Sequence, residues 1–272
     1  MAYNLLKGKR GIITGALDQN SIAWKVAEKA HEEGATFVLT NAPIAMRMGE
    51  INGLAEKTNS KIIPADATSV EELTNLFTES QQILGGKIDF VLHSIGMSVN
   101  IRKKIAYPEL NYDYYAKGVD VSAMSLHKML SVAYNMDALN EEASVVALTY
   151  AAAQRTYPFY TDMADIKALL ESIARSFGYH YGLKNRVRVN TVSQSPTKTT
   201  AGTGIKGFGD FFDYANAIAP LGNASAEDCA NYCITLFSDL TKMVTMQNLF
   251  HDGGYSTTGV SDLIMKKAGI AE

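Results

Sequence analysis

Cysteine, proline and tryptophan are scarce in this 272-residue chain, with two, six and one residues respectively. Two cysteines cannot form the disulfide framework of a small secreted domain. No apolar run approaches the roughly 20 residues that a membrane span needs. Basic residues number 25 and acidic residues 28, so the net charge of −3 creates no general positive field for nucleic acid.

The start of the chain also lacks a targeting signal. Its first ten residues are polar and basic, without the apolar core of a signal peptide. Hydrophobic residues make up 47% and charged residues 19%, which are ordinary globular values. No linker rich in proline, serine or glycine divides the sequence. We therefore expect one domain over residues 1–272, in a cytoplasmic protein without a membrane span.

Short apolar runs alternate with stretches of helical period along the whole chain. The pattern predicts strands at residues 11–14, 36–40, 61–65, 88–94, 144–149, 186–192 and 248–251. Helices are predicted at residues 21–33, 69–84, 112–139, 160–182 and 225–237, with Ser69 and Glu72 as a capping box. This alternation favours an α/β doubly wound fold, Rossmann-like, with about seven parallel strands and helices on both faces. Residues 197–219 break the alternation and are predicted to be a substrate-binding lid.

The turn after the first strand is a candidate phosphate site. Thr14-Gly15 ends that strand and a helix begins near Ser21, so backbone N–H groups and the helix dipole would face a pyrophosphate. The usual G-x-G-x-x-G spacing is missing, because Gln19 and Ser21 replace glycines. From the residues alone, an ordinary turn explains this pattern better than a cofactor site does.

Two later strand ends fit a dinucleotide as well. Asp66 follows the third strand, where its carboxylate would accept from an adenine amine or simply favour the N-terminus of the next helix. His93-Ser94-Ile95-Gly96 ends the fourth strand, where small residues would let a nicotinamide ribose approach the backbone, or would only end the strand.

A tyrosine and a lysine stand seven residues apart where the helix 160–182 begins. Seven residues are nearly two helical turns, so Tyr160 and Lys167 share one face. We expect the ammonium to lower the pKa of the phenol and to bind ribose hydroxyls.

At this point the chain resembles the short-chain dehydrogenase/reductase superfamily and, within it, the bacterial enoyl-[acyl-carrier-protein] reductases of type II fatty-acid synthesis. Ordinary ketoreductases carry a serine thirteen residues before the tyrosine, where this chain has Ala147. The enoyl reductases carry a second tyrosine ten residues before, as Tyr150 does here. Further matching residues are Thr14-Gly15, Ser21-Ile22-Ala23, Arg155, Pro158, Met163, Arg186-Val187-Arg188-Val189-Asn190, Gly204-Ile205-Lys206 and Asp252-Gly253-Gly254.

The resemblance implies a reaction and a set of site residues. A hydride would pass from NADH to the β-carbon of a trans-2-enoyl thioester, with Tyr160, Lys167 and Tyr150 as catalytic residues. The substrate would contact Ser98, Tyr150, Tyr160 and Phe208. The cofactor would contact Gly15, Ser21, Ile22, Ala42, Asp66, Ala67, Ser94, Ile95, Gly96, Lys167, Thr197, Thr199 and Ala201. The resemblance also implies a homotetramer, with the helix 112–139 packed against a partner.

The charges after the second strand favour NADH over NADPH. A 2′-phosphate needs cationic partners there, and residues 41–46 offer none before Arg47. Ala42, the segment 194–199 and the pair Asp165-Ile166 depart from the usual family pattern.

The remaining candidates concern partners and metals. An acidic acyl carrier protein would dock on basic side chains, for which the candidates are Lys198, Lys206 and residues 102–104. Cys229 and Cys233 lack nearby histidines and predict buried thiols rather than a metal site. Two other functions stay open: a ketoacyl or other carbonyl reductase, and a non-catalytic nucleotide-sensing protein of the same fold.

Overall fold

The computed structural model describes residues 2–46, 50–203 and 207–270. Within this part of the chain, parallel strands form one seven-stranded sheet in the order β3-β2-β1-β4-β5-β6-β7. The strands are β1 (Arg10–Thr14), β2 (Thr36–Thr40), β3 (Lys61–Ile62), β4 (Ile88–His93), β5 (Leu139–Thr149), β6 (Arg188–Gln194) and β7 (Asn248–His251). The predicted doubly wound Rossmann-like fold is confirmed.

Helices cover both faces of the sheet. They are α1 (Ile22–Glu32), α2 (Pro43–Met46), α3 (Glu50–Thr58), α4 (Val70–Leu84), α5 (Val99–Arg102), α6 (Tyr112–Val119), α7 (Ser125–Asn135), α8 (Thr161–Asn185), α9 (Thr200–Thr203), α10 (Phe208–Ile218), α11 (Ala226–Phe237) and α12 (Asp262–Lys267). Among the described residues, each helix is too short or too polar to cross a lipid bilayer.

The core consists of two apolar layers, one on each face of the sheet. One layer packs α4, α7 and α8 against the strands, and the other packs α1, α3 and α11. In the second layer the rings of Phe90 and Phe237 stack with centroids 4.7 Å apart. Gly11 makes room for the ring of Phe90, because a Cβ at this position would lie 2.1 Å from that ring. Burial on both faces explains why β6 is buried at every position.

Several element bounds differ from the prediction for identifiable reasons. The predicted helix 112–139 contains a π turn at Asp120–Met124 and ends at Asn135. Strand β5 begins five residues earlier than predicted, and its pairing with β4 shifts register between Ile88 and Phe90. The polar residues at its start concealed this extension from a pattern based on apolar runs.

The capping box predicted for α4 is half correct. Ser69 Oγ accepts from the Glu72 N–H at 3.2 Å, as predicted. The Glu72 carboxylate, however, accepts from the Asp66 N–H at 2.7 Å rather than from Ser69. Glu72 therefore fixes the turn that carries Asp66, at the carboxyl end of the sheet.

Candidate active site

A crevice opens at the carboxyl ends of the strands where the chain order reverses, between β1 and β4. Ligands of open α/β sheets bind at such a switch point. One cavity there is lined by residues from the ends of β1, β2 and β4 and from the segment before α4. Its lining includes Thr14, Thr40, Asn41, Ala42, Ala65, Asp66, Ala67, Thr68, Ile95 and Met129. The predicted cofactor contacts Ala42, Asp66, Ala67 and Ile95 thus line a single cavity.

Gly15 lies at the point where β1 and β4 come closest in this crevice. Its φ of +84° belongs to the left-handed region, and a Cβ would lie 2.0 Å from Ser94 O. The neighbouring Thr14 Oγ1 accepts from the Ser94 N–H at 3.1 Å. This turn therefore requires glycine and holds Ser94 beside the start of α1.

Among the described residues, no side chain caps the N-terminus of α1. Ser21 precedes the helix, and its hydroxyl donates to Asp18 O at 2.7 Å instead of capping the helix. The first turn, which begins at Ile22, contains no acidic residue. Uncapped N–H groups and the positive end of the helix dipole fit a pyrophosphate.

Asp66 lines the cavity described above and also makes hydrogen bonds within its own turn. Its Oδ1 accepts from the backbone N–H and the hydroxyl of Thr68, at 2.9 and 2.8 Å. That oxygen is therefore used within the turn before α4. The position of Asp66 fits both an adenine contact and a favourable charge before α4. Its contact with adenine stays a prediction.

Lys167 projects from α8 towards the loop that follows β4. Its Nζ donates to Leu148 O at 2.7 Å, and a Cβ added at Gly96 would lie 3.8 Å away from this Nζ. Toward the described residues, two of its three N–H groups make no hydrogen bond and can serve other acceptors. Burial lowers the pKa of Lys167 to about 8, opposed by the charge of Glu171. A hydroxyl-rich ribose beside Gly96 would fit these free donors.

Tyr160 directly precedes α8 and packs in an aromatic cluster. The Tyr150 ring lies 5.1 Å from the Tyr160 ring and 5.3 Å from the Tyr157 ring, measured between centroids. Phe211 and Tyr255 complete the cluster around Tyr157, at 5.6 and 6.2 Å. Tyr157 and Tyr255 were not predicted, because only the folded chain brings them to Tyr150.

The expectation that Lys167 lowers the pKa of the Tyr160 phenol is wrong. Burial raises the pKa of Tyr160, and Lys167 does not counteract it. Burial also raises the pKa of Tyr150, whose buried hydroxyl has no hydrogen-bond partner among the described residues. Both phenols are therefore neutral near pH 7 and can donate hydrogen bonds.

His93 ends β4 below this site and is fully buried. Its Nε2 lies 2.8 Å from Ser125 Oγ. Burial, and secondarily the charge of Lys167, lowers the pKa of His93 to about 3. The imidazole is therefore neutral at physiological pH and supports the loop that continues to Gly96.

Ser98 and Phe208, both predicted substrate contacts, lie in different surroundings. The Ser98 hydroxyl donates to Asp162 Oδ1 at 2.7 Å and accepts from the Ile101 N–H at 3.0 Å. Phe208 packs on Phe212 with centroids 6.0 Å apart and lines an open pocket with Lys198. Phe211, rather than Phe208, reaches the aromatic cluster.

The predicted lid is tied to the crevice at its beginning. Thr197 Oγ1 donates to Ser195 O at 3.0 Å, and Thr199 Oγ1 accepts from the Gly202 N–H at 3.0 Å. The Thr200 hydroxyl donates to the Asp18 carboxylate in the turn before α1. The predicted cofactor contacts of the lid thus begin next to the phosphate site. The Ala201 side chain, Lys206 and Arg47 lie outside the described residues.

Cys229 and Cys233 are buried on α11. Nowhere in the described ranges do three or more histidine, cysteine, aspartate or glutamate side chains form a group able to hold a metal.

This crevice, with Lys167 on α8 and Tyr160 directly before that helix, defines a nucleotide-dependent reductase of the short-chain dehydrogenase/reductase class. A family model described as enoyl-(acyl carrier protein) reductase matches residues 15–256. The chain belongs to the enoyl-(acyl carrier protein) reductase family.

Individual proteins support this membership. The enoyl-[acyl-carrier-protein] reductase [NADH] FabI of Rickettsia bellii is 32% identical over 266 residues, covering 97% of this chain and 100% of that protein. A FabI–NADH complex from Alistipes finegoldii superimposes with a TM-score of 0.96 at 61% identity, over 97% of this chain and 93% of that one. The Bacillus cereus enoyl-acyl carrier protein reductase with NADP+ and indole naphthyridinone has a TM-score of 0.88 at 29% identity, over 96% and 100%.

Proposed function

We infer that this chain reduces the trans-2 double bond of enoyl-[acyl-carrier-protein] thioesters with NADH, the last step of the fatty-acid elongation cycle. The observation that carries the inference is the position of Lys167 against Gly96, on the helix that begins directly after Tyr160. A nicotinamide held there would lie beside a phenol donor. When bound, NADH supplies the hydride that reaches the β-carbon of the substrate.

The residues of the site would stabilise the charge that this transfer creates. Negative charge develops on the thioester oxygen, and the neutral Tyr160 phenol can donate a hydrogen bond to that oxygen. Because burial raises the pKa of Tyr160, the phenol keeps its proton until the charge appears. Lys167 would hold the ribose through its two free N–H groups, and its positive charge further favours the enolate. The α-carbon proton would come from solvent.

Tyr150 would face the acyl end of the substrate. Its hydroxyl is buried without a partner among the described residues, so a polar group of the bound substrate would satisfy it. The rings of Tyr157, Phe211 and Tyr255 offer an apolar wall for the acyl chain. Substrate contacts by Ser98 and Phe208 remain predictions.

One assay tests the reaction and the choice of cofactor together. We expect oxidation of NADH with crotonyl-CoA and a faster initial rate with NADH than with NADPH at equal concentration. Among the described residues 41–46 no cation is present, and the Asn41 side chain is occupied by Ala16 O and the Ala42 N–H, at 3.1 and 2.9 Å. A 2′-phosphate would therefore find no cationic partner on these residues.

The same assay separates the other candidate functions. Turnover of ketoacyl substrates alone would indicate a carbonyl reductase, against which Ala147 argues because it is buried in β5 and lacks a hydroxyl. Cofactor binding without turnover would indicate a nucleotide sensor. A faster rate with NADPH would refute the cofactor preference while leaving the reaction intact.

Docking of the acyl carrier protein can be tested on an exposed basic surface. Arg102, Lys103 and Lys104 are exposed. They lie at the end of α5, which follows the predicted nicotinamide loop, residues 94–98 after β4. With Arg102→Glu/Lys103→Glu we expect the KM for carrier-bound substrate to rise about 10-fold, since an acidic partner would be repelled. The KM for crotonyl-CoA should change less than twofold. Steady-state kinetics with both substrates measure this.

The matched control reverses two exposed lysines elsewhere. Lys7 precedes β1 and Lys61 begins β3, away from the carboxyl ends of the strands. Lys7→Glu/Lys61→Glu carries the same change of charge and should leave both KM values unchanged. Equal effects of the Arg102/Lys103 variant on the two substrates would contradict docking at this surface. The homotetramer and the cytoplasmic location are proposed on the family resemblance.

A further inference from the structure

A buried carboxylate lies at the start of α8, just after the catalytic phenol. Asp162 is fully buried and lies two residues after Tyr160, in the first turn of the helix. No lysine, arginine or histidine nitrogen in the described ranges lies within 4.0 Å of it. A buried charge without a cation is costly, so its hydrogen bonds must hold it in place.

Three neutral donors satisfy this carboxylate. Ser98 Oγ donates to Asp162 Oδ1 at 2.7 Å, and Asn100 Nδ2 donates to Oδ2 at 2.8 Å. Thr161 Oγ1 adds a third hydrogen bond at 3.0 Å. Asp162 also lies in the first turn of α8, where the helix dipole favours a negative charge.

These donors connect two parts of the site, the start of α8 and the loop after β4, which must be aligned for the reaction. Ser98 and Asn100 belong to the segment that continues from Gly96, the predicted contact of the nicotinamide ribose. Asn100 is itself held by Asn111, whose N–H donates to Asn100 Oδ1 at 3.1 Å. Asp162 therefore joins the start of α8 to the loop after β4.

The backbone between Tyr160 and Asp162 is strained. Thr161 has a φ of +39°, a left-handed conformation that is unfavourable for a β-branched residue. Strain of this kind persists only where surrounding contacts impose it. The hydrogen bonds of Asp162 and Thr161 supply such contacts directly after the catalytic phenol.

We infer that Asp162 is a positioning residue, whose buried carboxylate sets the location of the Tyr160 hydroxyl relative to the nicotinamide loop. This inference rests on the proposed function. A displacement of about 1 Å can reduce turnover by up to about 100-fold. The carboxylate would therefore influence the rate without touching substrate or cofactor.

The test combines Asp162→Asn with Tyr160→Phe. In Asp162→Asn an amide donor replaces one accepting oxygen, so a donor of Ser98 or Asn100 loses its partner. We expect kcat with crotonyl-CoA to fall about 10-fold or more, while the KM for NADH changes less than twofold. In the Tyr160→Phe background the same substitution should change kcat less than twofold, because the hydroxyl it positions is gone.

Asp165→Asn is the matched control. Asp165 lies one turn further along α8 and accepts from the hydroxyls of Tyr107 and Tyr115, at 3.0 and 3.2 Å. Its variant should keep kcat within twofold. If Asp162→Asn does not fold, Ser98→Ala removes one donor and should show a smaller loss with the same dependence on Tyr160.

Two results would overturn the inference. One is an unchanged kcat in folded Asp162→Asn, or in Ser98→Ala where that variant replaces it. The other is an equal loss in both Tyr160 backgrounds, which would indicate a general structural role. Failure of the unsubstituted chain to reduce crotonyl-CoA would instead refute the proposed function, so the two failures are distinguishable.

Discussion

Replacement of Tyr160 by phenylalanine is expected to lower kcat with crotonyl-CoA by about 100-fold or more. Removing one hydrogen-bond donor to a developing oxyanion costs about 100- to 1000-fold in other enzymes. Tyr160 is a neutral phenol, because burial raises its pKa, and its hydroxyl makes no hydrogen bond with a described residue. It is therefore free to donate to the thioester oxygen. Steady-state kinetics at saturating NADH measure the loss.

Three comparisons make this expectation specific. The dissociation constant for NADH should change less than twofold in Tyr160→Phe, because the proposed ribose contact belongs to Lys167. Tyr179→Phe removes an exposed hydroxyl from the same helix and should leave kcat unchanged. Tyr150→Phe should lower kcat less than about 10-fold, since the enolate oxygen is assigned to Tyr160. A loss in Tyr150→Phe that exceeds that of Tyr160→Phe would reverse the two roles.

The fold was predictable where local signals and burial agree. The bounds of α4 follow from Ser69, which caps its N-terminus, and from Gly85, whose φ of +73° ends it. The strands β2 and β7 have the predicted bounds as well. The early start of β5 was not predictable, because Glu142 adopts a φ of +61° beside a shift in register. Such irregularities depend on the neighbouring strand rather than on the local sequence.

The residues of the candidate site also divide into those that local patterns predict and those that only the fold brings together. The spacing of Tyr160 and Lys167 predicts a shared helix face, which is wrong in its basis, because Tyr160 precedes α8 and Thr161 has a φ of +39°. Lys167 does lie on α8, beside Gly96. The aromatic neighbours Tyr157 and Tyr255 come from segments almost 100 residues apart, and no local pattern links them. Asp162 lies in a mixed polar and apolar stretch with Thr161 and Asp165, so no local pattern marks its burial. Its partners Ser98 and Asn100 become visible only through tertiary contacts.

Lys167→Ala is expected to raise the dissociation constant for NADH about 10- to 100-fold at pH 7. One hydrogen bond to a charged group contributes about 1.5–3 kcal/mol, so the net loss of one such bond corresponds to about that range. Burial lowers the pKa of Lys167 to about 8. Below this pH the protonated form dominates and keeps its charge, whereas the charge is lost as the pH rises through 8. The affinity of the unsubstituted chain should therefore fall above pH 8.

Titration of NADH fluorescence from pH 6.5 to 9.5 measures both effects. Lys167→Ala should show weak binding without this step at pH 8, because the titrating group is gone. Glu171 lies one turn further along α8, and its charge raises the pKa of Lys167. Glu171→Gln should therefore move the step to lower pH. Lys184→Ala, which removes an ammonium bound to Tyr134 O near the other end of α8, is the control and should bind like the unsubstituted chain. Equal NADH affinities of Lys167→Ala and the unsubstituted chain would refute the ribose contact, because no other described ammonium lies beside Gly96.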